Sequence, residues 1–488
     1  MALIQIADLT FGYDGSYDNI FEHVSFQIDT DWKLGFTGRN GRGKTTFLNL
    51  LLDKYEYKGT ISSPVSFDYF PFPVPDKTIT TVEIIRNIDG NTEDWRIYKE
   101  LSLLEVSEEV LYRPFETLSN GEQTKILLAA LFVKGNNFLL IDEPTNHLDR
   151  NARKIVSNYL KRKKGFLLVS HDRAFLDNCI DHILSINKTN IEIQKGNFTS
   201  WLQNKEWQDG FEIAENEKLK KEIKRMSVTA KRTAAWSDAV EKTKIGTHVF
   251  DRGAVGHKSA KMMKRAKSVQ TRQQKAIEEK GNLLKNIESA DSLSVRPIAY
   301  HSQKLVEMKE LAVFYDHNKV CQNVSFTINQ GDRIALEGKN GCGKSSILKL
   351  LVGETIVYEG EMYIGSNLKI SYVPQDTSFL TGNLKEFAKN SRIDESLFKA
   401  ILRKLDFSRI QFEKDMCEFS EGQKKKVLLA KSLCERTHLY IWDEPLNFID
   451  VLSRMQIEEL IVMHKPTMLF VEHDDSFVEA VATKHVYM

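Results

Sequence analysis

The chain has 488 residues, 41% hydrophobic and 28% charged, and its 68 Lys/Arg against 67 Asp/Glu leave a net charge of +1. That length exceeds what one hydrophobic core organises and predicts more than one domain. The longest apolar run, Ile126 to Val133, falls far short of the roughly 20 residues a membrane-spanning helix needs, which argues against a self-contained membrane transporter. The start, Met1-Ala2-Leu3-Ile4-Gln5-Ile6, lacks the basic-then-apolar pattern of a leader. Cys179, Cys321, Cys342, Cys417 and Cys434 are an odd number with no CxxC pair. They fit reduced thiols better than disulfides or zinc, so the expected location is cytoplasmic.

In chain order, strand-like Leu3–Ile6 and Val24–Ile28 lead to Gly38-Arg39-Asn40-Gly41-Arg42-Gly43-Lys44-Thr45, which matches GxxxxGK[ST]. In such a loop Gly38, Gly41 and Gly43 let backbone N–H groups wrap phosphates at a helix start, Lys44 neutralises β- and γ-phosphate charge, and Thr45 can ligate magnesium. Asn40 and Thr46 join this candidate nucleotide set. Apolar Phe138–Ile141 then runs into Asp142-Glu143. An aspartate there can organise a metal, and a glutamate one residue later can orient or activate an attacking water. Alone, an acidic pair after a strand is a solvated strand end; the upstream P-loop reverses that reading. Alternation of short β-rich runs with amphipathic stretches such as Ala152–Leu160 predicts an α/β core with helices on a largely parallel sheet.

From about Trp201 to Glu288 the texture changes to Lys, Glu, Arg, Gln and Ala without proline, which favours helix. Residues 245–257, with three glycines, interrupt the pattern and predict the tip of a helical hairpin. A 40-residue helix rises about 60 Å. Residues 211–285 hold 19 Lys/Arg against 9 Asp/Glu, so this stretch is strongly basic and the remainder acidic. That meets the electrostatic requirement for RNA, and Lys261, Lys264 and Arg265 offer closely spaced phosphate contacts on one helix. The alternative is a solvated charged hairpin acting as a coiled-coil spacer.

Beyond it the first third repeats. Gly338-Lys339-Asn340-Gly341-Cys342-Gly343-Lys344-Ser345 is a second P-loop, with Ser346 beside it, and Leu439–Trp442 runs into Asp443-Glu444. Lys44 and Lys344, Gly121 and Gly422, Asp142 and Asp443, and His171 and His473 are offset by 300, 301, 301 and 302 positions. So constant an offset means the whole unit was duplicated, giving two nucleotides held by two similar domains. The expected divisions are residues 1–200, 201–300 and 301–488: two nucleotide-binding domains joined by a long α-helical hairpin.

Leu118-Ser119-Asn120-Gly121-Glu122-Gln123 and Phe419-Ser420-Glu421-Gly422-Gln423 resemble the signature motif of ATP-binding cassette proteins. The resemblance implies that Ser119, Gly121 and Glu122, and likewise Ser420, Gly422 and Gln423, bind the γ-phosphate of ATP held by the opposite P-loop. Two ATP molecules would then join the halves of one chain head to tail, making a monomer with intramolecular pairing. It also implies that Tyr13 and Tyr315 stack on adenine, that His171 and His473 are switch histidines, and that Asp149 and Asp450 communicate between sites. Gln375 would help sense magnesium and water; the first copy has Phe72 there. Two competent but unequal ATPase sites are expected, with Glu143, Glu444, His171 and His473 catalytic and Thr45, Asp142, Ser345, Gln375 and Asp443 at the metal.

Tandem cassettes with Glu143-Pro144-Thr145-Asn146-His147-Leu148-Asp149 and a charged linker resemble the ABC-F family of translation factors. Fewer than 70 residues separate Leu50 from the first signature, and the chain stops 15 residues after His473. These proportions, with Val249-Phe250-Asp251-Arg252-Gly253, are similar to the antibiotic-resistance branch, most closely the Lsa type. That resemblance implies a cytoplasmic protein that binds the E site of the 70S ribosome, touching 23S rRNA and P-site tRNA through Lys244, His248, Val249, Phe250, Arg252, His257, Lys258, Lys261, Lys264 and Arg265. It would displace lincosamides, pleuromutilins and streptogramin A compounds from the peptidyl-transferase centre, directly or by shifting RNA. The alternatives are a general factor for stalled ribosomes and a soluble ATPase subunit of a membrane exporter.

Overall fold

Two strands of the first cassette sit at the centre of its phosphate chemistry. In the computed structural model, β3 (Lys33–Thr37) and β6 (Asn137–Asp142) end at the P-loop and at the acidic pair. The structure describes residues 2–13, 19–88, 93–135, 137–146, 148–186, 191–242, 271–272, 295, 297–315 and 318–488. The cassettes, residues 1–199 with 290–488, form one compact unit, and residues 200–289 form another.

The first cassette opens with β1 (Leu3–Phe11) and β2 (Phe21–Asp29), followed by β3, β4 (Lys58–Ser62) and β5 (Ser66–Phe70). After β6 come β7 (Phe166–Val169), β8 (His182–Ile186) and β9 (Ile191–Lys195). Strands β5-β6-β7-β3-β8-β9 form one sheet. All its pairs are parallel except β8 with β9. The parallel strands are near-continuous apolar runs because both faces are covered: Phe138, Leu139, Leu140 and Ile141 are all buried, as are Phe166–Val169.

The second cassette repeats this with β10 (Lys304–Tyr315), β11 (Asn318–Asn329), β12 (Arg333–Glu337), β13 (Val357–Ile364) and β14 (Ile370–Val373). It finishes with β15 (Leu439–Asp443), β16 (Met468–Val471) and β17 (Lys484–Tyr487). Strands β14-β15-β16-β12-β17 form a wholly parallel sheet. The sheet is not the entire core, however. Each cassette also has a separate antiparallel sheet, β2-β1-β4 and β11-β10-β13. The strand runs near each start belong to these layers, whose alternating burial marks a sheet covered on one face only.

The two layers grip the P-loop helix, Lys44–Leu51. Phe47 is fully buried, with ring centroids 6.0 Å from Phe21, 5.8 Å from Phe26 and 5.5 Å from Phe36. Phe21 and Phe26 come from the antiparallel layer and Phe36 from β3, so one side chain fixes the helix to both.

The helix Phe198–Lys242, which belongs to the other unit from Ser200 onward, runs 45 residues, about 67 Å at 1.5 Å per residue. Trp207 and Phe211 are exposed along it. The expected tip at 245–257 and the ten tip and basic contact residues from Lys244 to Arg265 lie outside the described residues.

Phe47→Ala is expected to cost about 3–5 kcal/mol of stability. Urea unfolding followed by circular dichroism measures it; a loss below about 1 kcal/mol would show that the three rings close over the gap.

Candidate functional site

The P-loop lysines are held by their own loops. Lys44 Nζ donates to Gly38 O at 2.6 Å, to Arg39 O at 3.3 Å and to Asn40 Oδ1 at 3.3 Å. Lys344 Nζ donates to Gly338 O at 2.9 Å and Lys339 O at 3.0 Å. Gly43 and Gly343 cap the helices at φ 92° and 99°, in the left-handed region, and neither helix has a side-chain cap. The first helical N–H groups therefore remain available to a phosphate. Burial lowers the Lys44 ammonium's pKa, against the attraction of Asp450, Glu143 and Asp142.

Both glutamates of the acidic pairs have left-handed backbones, Glu143 at φ 49° and Glu444 at φ 45°. Such a conformation costs about 1–3 kcal/mol. Hydrogen bonds from Glu143 N to Val169 O at 2.9 Å and from Glu444 N to Val471 O at 3.0 Å fix these turns to the neighbouring strand ends. His171 Nε2 lies 3.2 Å from Glu143 Oε1, and His473 Nε2 lies 3.5 Å from Glu444 Oε1.

The carboxylates differ in their surroundings. Burial, reinforced by Asp142, pushes Glu143 up to about 8, and burial with Lys44 and Arg454 holds His171 well below its ordinary value. At Glu444 burial also acts upward, but His473, Gln375 and Lys425 outweigh it and lower the carboxyl. Gln375 Nε2 and Asn447 Nδ2 donate to Glu444 Oε2 at 2.8 and 2.6 Å. Phe72 offers no donor at the matching position of the first cassette, where Glu143 Oε1 is buried without a hydrogen bond.

The donor sets suit a magnesium ion. Thr45 Oγ1 lies 3.5 Å from Asp142 Oδ2. Both Asp443 carboxylate oxygens are buried without a hydrogen bond of full geometry, although Ser345 faces them, and burial raises that carboxyl to about 6. A hydroxyl and a carboxylate are hard oxygen ligands, and magnesium characteristically takes few such ligands together with substrate phosphates.

The second P-loop faces the first signature. A cavity of about 680 Å³ is lined by Ser119, Gly121 and Glu122 on one side and by Asn340, Gly341, Gly343, Lys344, Ser345 and Ser346 on the other, with Gln375, Glu444 and His473 at its wall. Ser119 and Ser420 cap their helices reciprocally with Glu122 and Gln423. At the other site, Asn40 Nδ2 donates to Phe448 O at 2.8 Å, and a Cβ on Gly422 would meet that carbonyl at 2.4 Å and Asn40 at 3.2 Å. Tyr13 and Tyr315 are exposed, and the Tyr13 hydroxyl lies 2.9 Å from Thr46 Oγ1. His147 is outside the described residues.

Several site residues escaped the motif reading. Tyr69 donates to Asp142 Oδ2 at 2.9 Å, and burial with the Asp142 charge raises its phenol well above the usual range. Lys426 Nζ lies 2.9 Å from Asp450 Oδ2, and despite burial it holds that carboxyl well below the usual range. Arg153 reaches Asp172 at 3.0 Å and, across the interface, His473 O at 3.2 Å; Arg454 reaches Asp474 at 3.1 Å. The repeat register was their signal: Tyr69 with Tyr372, Lys125 with Lys426 and Arg153 with Arg454 are identical pairs.

Residues 21–146 and 321–447 each match the family described as ABC transporter. Among relatives, the ribosome protection protein VmlR of Bacillus subtilis (strain 168) is 27% identical over 493 residues, covering 97% of this chain and 85% of that one. The ATP-binding protein Uup of Buchnera aphidicola subsp. Acyrthosiphon pisum (strain APS) is 27% identical over 510 residues, covering 99% and 80%. A crystal structure of the archaeal ribosome recycling factor aABCE1, in complex with the ribosomal stalk protein aP1, superposes with a TM-score of 0.63 at 18% identity, covering 98% and 87%. That likeness shows the shared fold.

With Glu143→Gln as background, chosen to leave turnover to the second site, Gln375→Phe is expected to lower kcat for ATP about tenfold or more at unchanged KM. Steady-state phosphate release measures both; a change confined to KM would mean that Gln375 contacts bound nucleotide rather than the reacting water.

Proposed function

Because this chain belongs to the ABC transporter family and carries two of its ATP-binding cassettes, we propose that it is an ABC-F ATPase acting on the ribosome, and that it protects ribosomes from drugs at the peptidyl-transferase centre. The observation that carries the reading is the full-length likeness to a ribosome protection protein, spanning 97% of the chain and therefore the basic stretch between the cassettes as well. Among the described residues no helix is long and apolar enough to cross a membrane. The working location is the cytoplasm.

The chemistry is hydrolysis of ATP to ADP and phosphate. Lys344 and the amide groups behind Gly343 take the β- and γ-phosphate charge, and Ser119 and Gly121 close on the γ-phosphate from the opposite cassette. Glu444, steadied by Gln375, Asn447 and His473, orients the water and draws its proton. Thr45 with Asp142, and Ser345 with Asp443, would hold magnesium, which supplies charge neutralisation on the phosphates. The first site repeats the scheme with Lys44 and Glu143 against Ser420 and Gly422.

Closure on ATP would present the linker hairpin to the E site, where its basic stretch meets 23S rRNA and its tip, with Val249 and Phe250, acts on P-site tRNA and bound drug. Hydrolysis then releases the protein. A general role on stalled ribosomes is the second reading, favoured by the equal 27% identity to Uup.

Glu143→Gln with Glu444→Gln is expected to hold the protein on 70S ribosomes after ATP addition, read by pelleting through sucrose. Release at the wild-type rate would remove the closure scheme. In a membrane-free translation extract inhibited by lincomycin or a pleuromutilin, wild-type protein is expected to restore synthesis and Phe250→Ala to lose that rescue. Ribosome binding without rescue would support the general factor.

A further inference from the structure

The duplicated cassettes have diverged in charge where they touch. Among the described residues, every ion pair that crosses between them has its cation on the first cassette and its anion on the second. Arg39 and Arg42 lie 3.6 and 3.7 Å from Asp406. Arg150 is 2.9 Å from Glu337 and also pairs with Asp475, which Lys154 approaches at 3.9 Å. Arg173 pairs with Glu458, both side chains less than a fifth exposed.

The repeat register shows what stands at the matching positions. Arg150 and Lys154 correspond to Val451 and Met455, Ser157 to Glu458, and Arg173 to Asp475. Applying the observed contacts to two first cassettes would set Arg150 and Lys154 of one against Arg173 of the other. Two second cassettes would set Asp475 of one against Glu458 of the other. Like charges there oppose association, most at the well-buried Arg173 and Glu458 and least at the exposed Lys154, whereas the native pairing matches them. The Arg39 and Arg42 contacts with Asp406, whose counterparts Lys339 and Glu105 keep the same signs, carry no such preference, and neither do the buried Arg153–Asp172 and Arg454–Asp474 pairs, which occur in both cassettes.

We infer that this charge division is a pairing code: the face of the first cassette accepts a second-type cassette and rejects another copy of itself. Both composite nucleotide sites therefore close only in the unlike combination, normally within one chain. The inference rests on the ATPase chemistry and the cassette contacts, and it is independent of any ribosomal role.

Full-length chains test it by reversal and exchange. One variant carries Arg150→Glu and Arg173→Glu; a second carries Glu337→Arg, Glu458→Arg and Asp475→Arg; a third combines all five. Each one-sided variant is expected to lose about tenfold or more of its ATPase rate, because like charges now face each other within the chain. Mixing the two one-sided variants with ATP should restore hydrolysis and give a species of twice the 56.1 kDa chain mass in analytical ultracentrifugation. The five-fold variant should hydrolyse ATP as a monomer, which controls for folding. Wild-type rates in the one-sided variants would overturn the inference, and so would failure of both the mixture and the five-fold variant to recover while all chains melt cooperatively.

Discussion

Each P-loop lies against the signature of the other cassette, and most other features of the cassette unit follow from that pairing. A triphosphate carries more negative charge than one glycine loop and one lysine neutralise, so a second source of partial positive charge must approach from the far side. The first signature helix faces the second P-loop across a shared cavity, and in the proposed scheme it supplies that charge. The reciprocal signature approaches the first P-loop closely enough for Asn40 to bond Phe448 O. Helix N-termini are effective there because the N–H groups ahead of the capped N3 amide have no intrahelical partner and are already aligned when an anion arrives. The strained glutamate turns serve the same end. Their backbone cost is met by strand-end hydrogen bonds, so each carboxylate stays aimed at the interface rather than at solvent.

Within this shared plan the two sites are tuned apart. Glu444 is surrounded by donors from Gln375, Asn447 and His473, an environment that favours the carboxylate. Glu143 has Asp142 and burial acting on it without the amide that Phe72 replaces, an environment that favours the neutral acid. The geometric difference is the one between two amide donors on Glu444 and the absence, at Glu143, of the donor that Phe72 replaces.

The sequence made the phosphate-facing half of each site legible, because that chemistry tolerates few residue types at fixed spacing: glycine where a side chain would block the loop, lysine and hydroxyl where charge must be met, acid at a strand end. The parallel strands were equally legible, since runs as apolar as Phe138–Ile141 and Leu439–Trp442 mark strands covered on both faces. Tyr69, Lys426 and Arg153 were marked only by their identity across the repeat, because a phenol or a cation in a helix or strand does not name the carboxylate it will meet across the fold. The antiparallel layers were missed as separate sheets for a related reason. Leu3–Ile6 and Val24–Ile28 announce strands, but their alternation does not say which sheet they join.

Duplication also creates a difficulty that the fold must solve. Two cassettes with the same fold and motifs present nearly the same face, so shape alone favours like and unlike pairs similarly, whereas the differences between the sites have meaning only if each is built from one half of each kind. Residues at the nucleotides are poorly free to diverge, because both sites still need them: Arg153 and Arg454, Asp172 and Asp474, and the two signature serines remain matched. Divergence in charge is therefore pushed to the margin of the interface, where Arg150, Lys154 and Arg173 on one side meet Glu337, Glu458 and Asp475 on the other. Those positions can change sign without touching a phosphate, and in doing so they let an inherited symmetric joint serve two unequal sites.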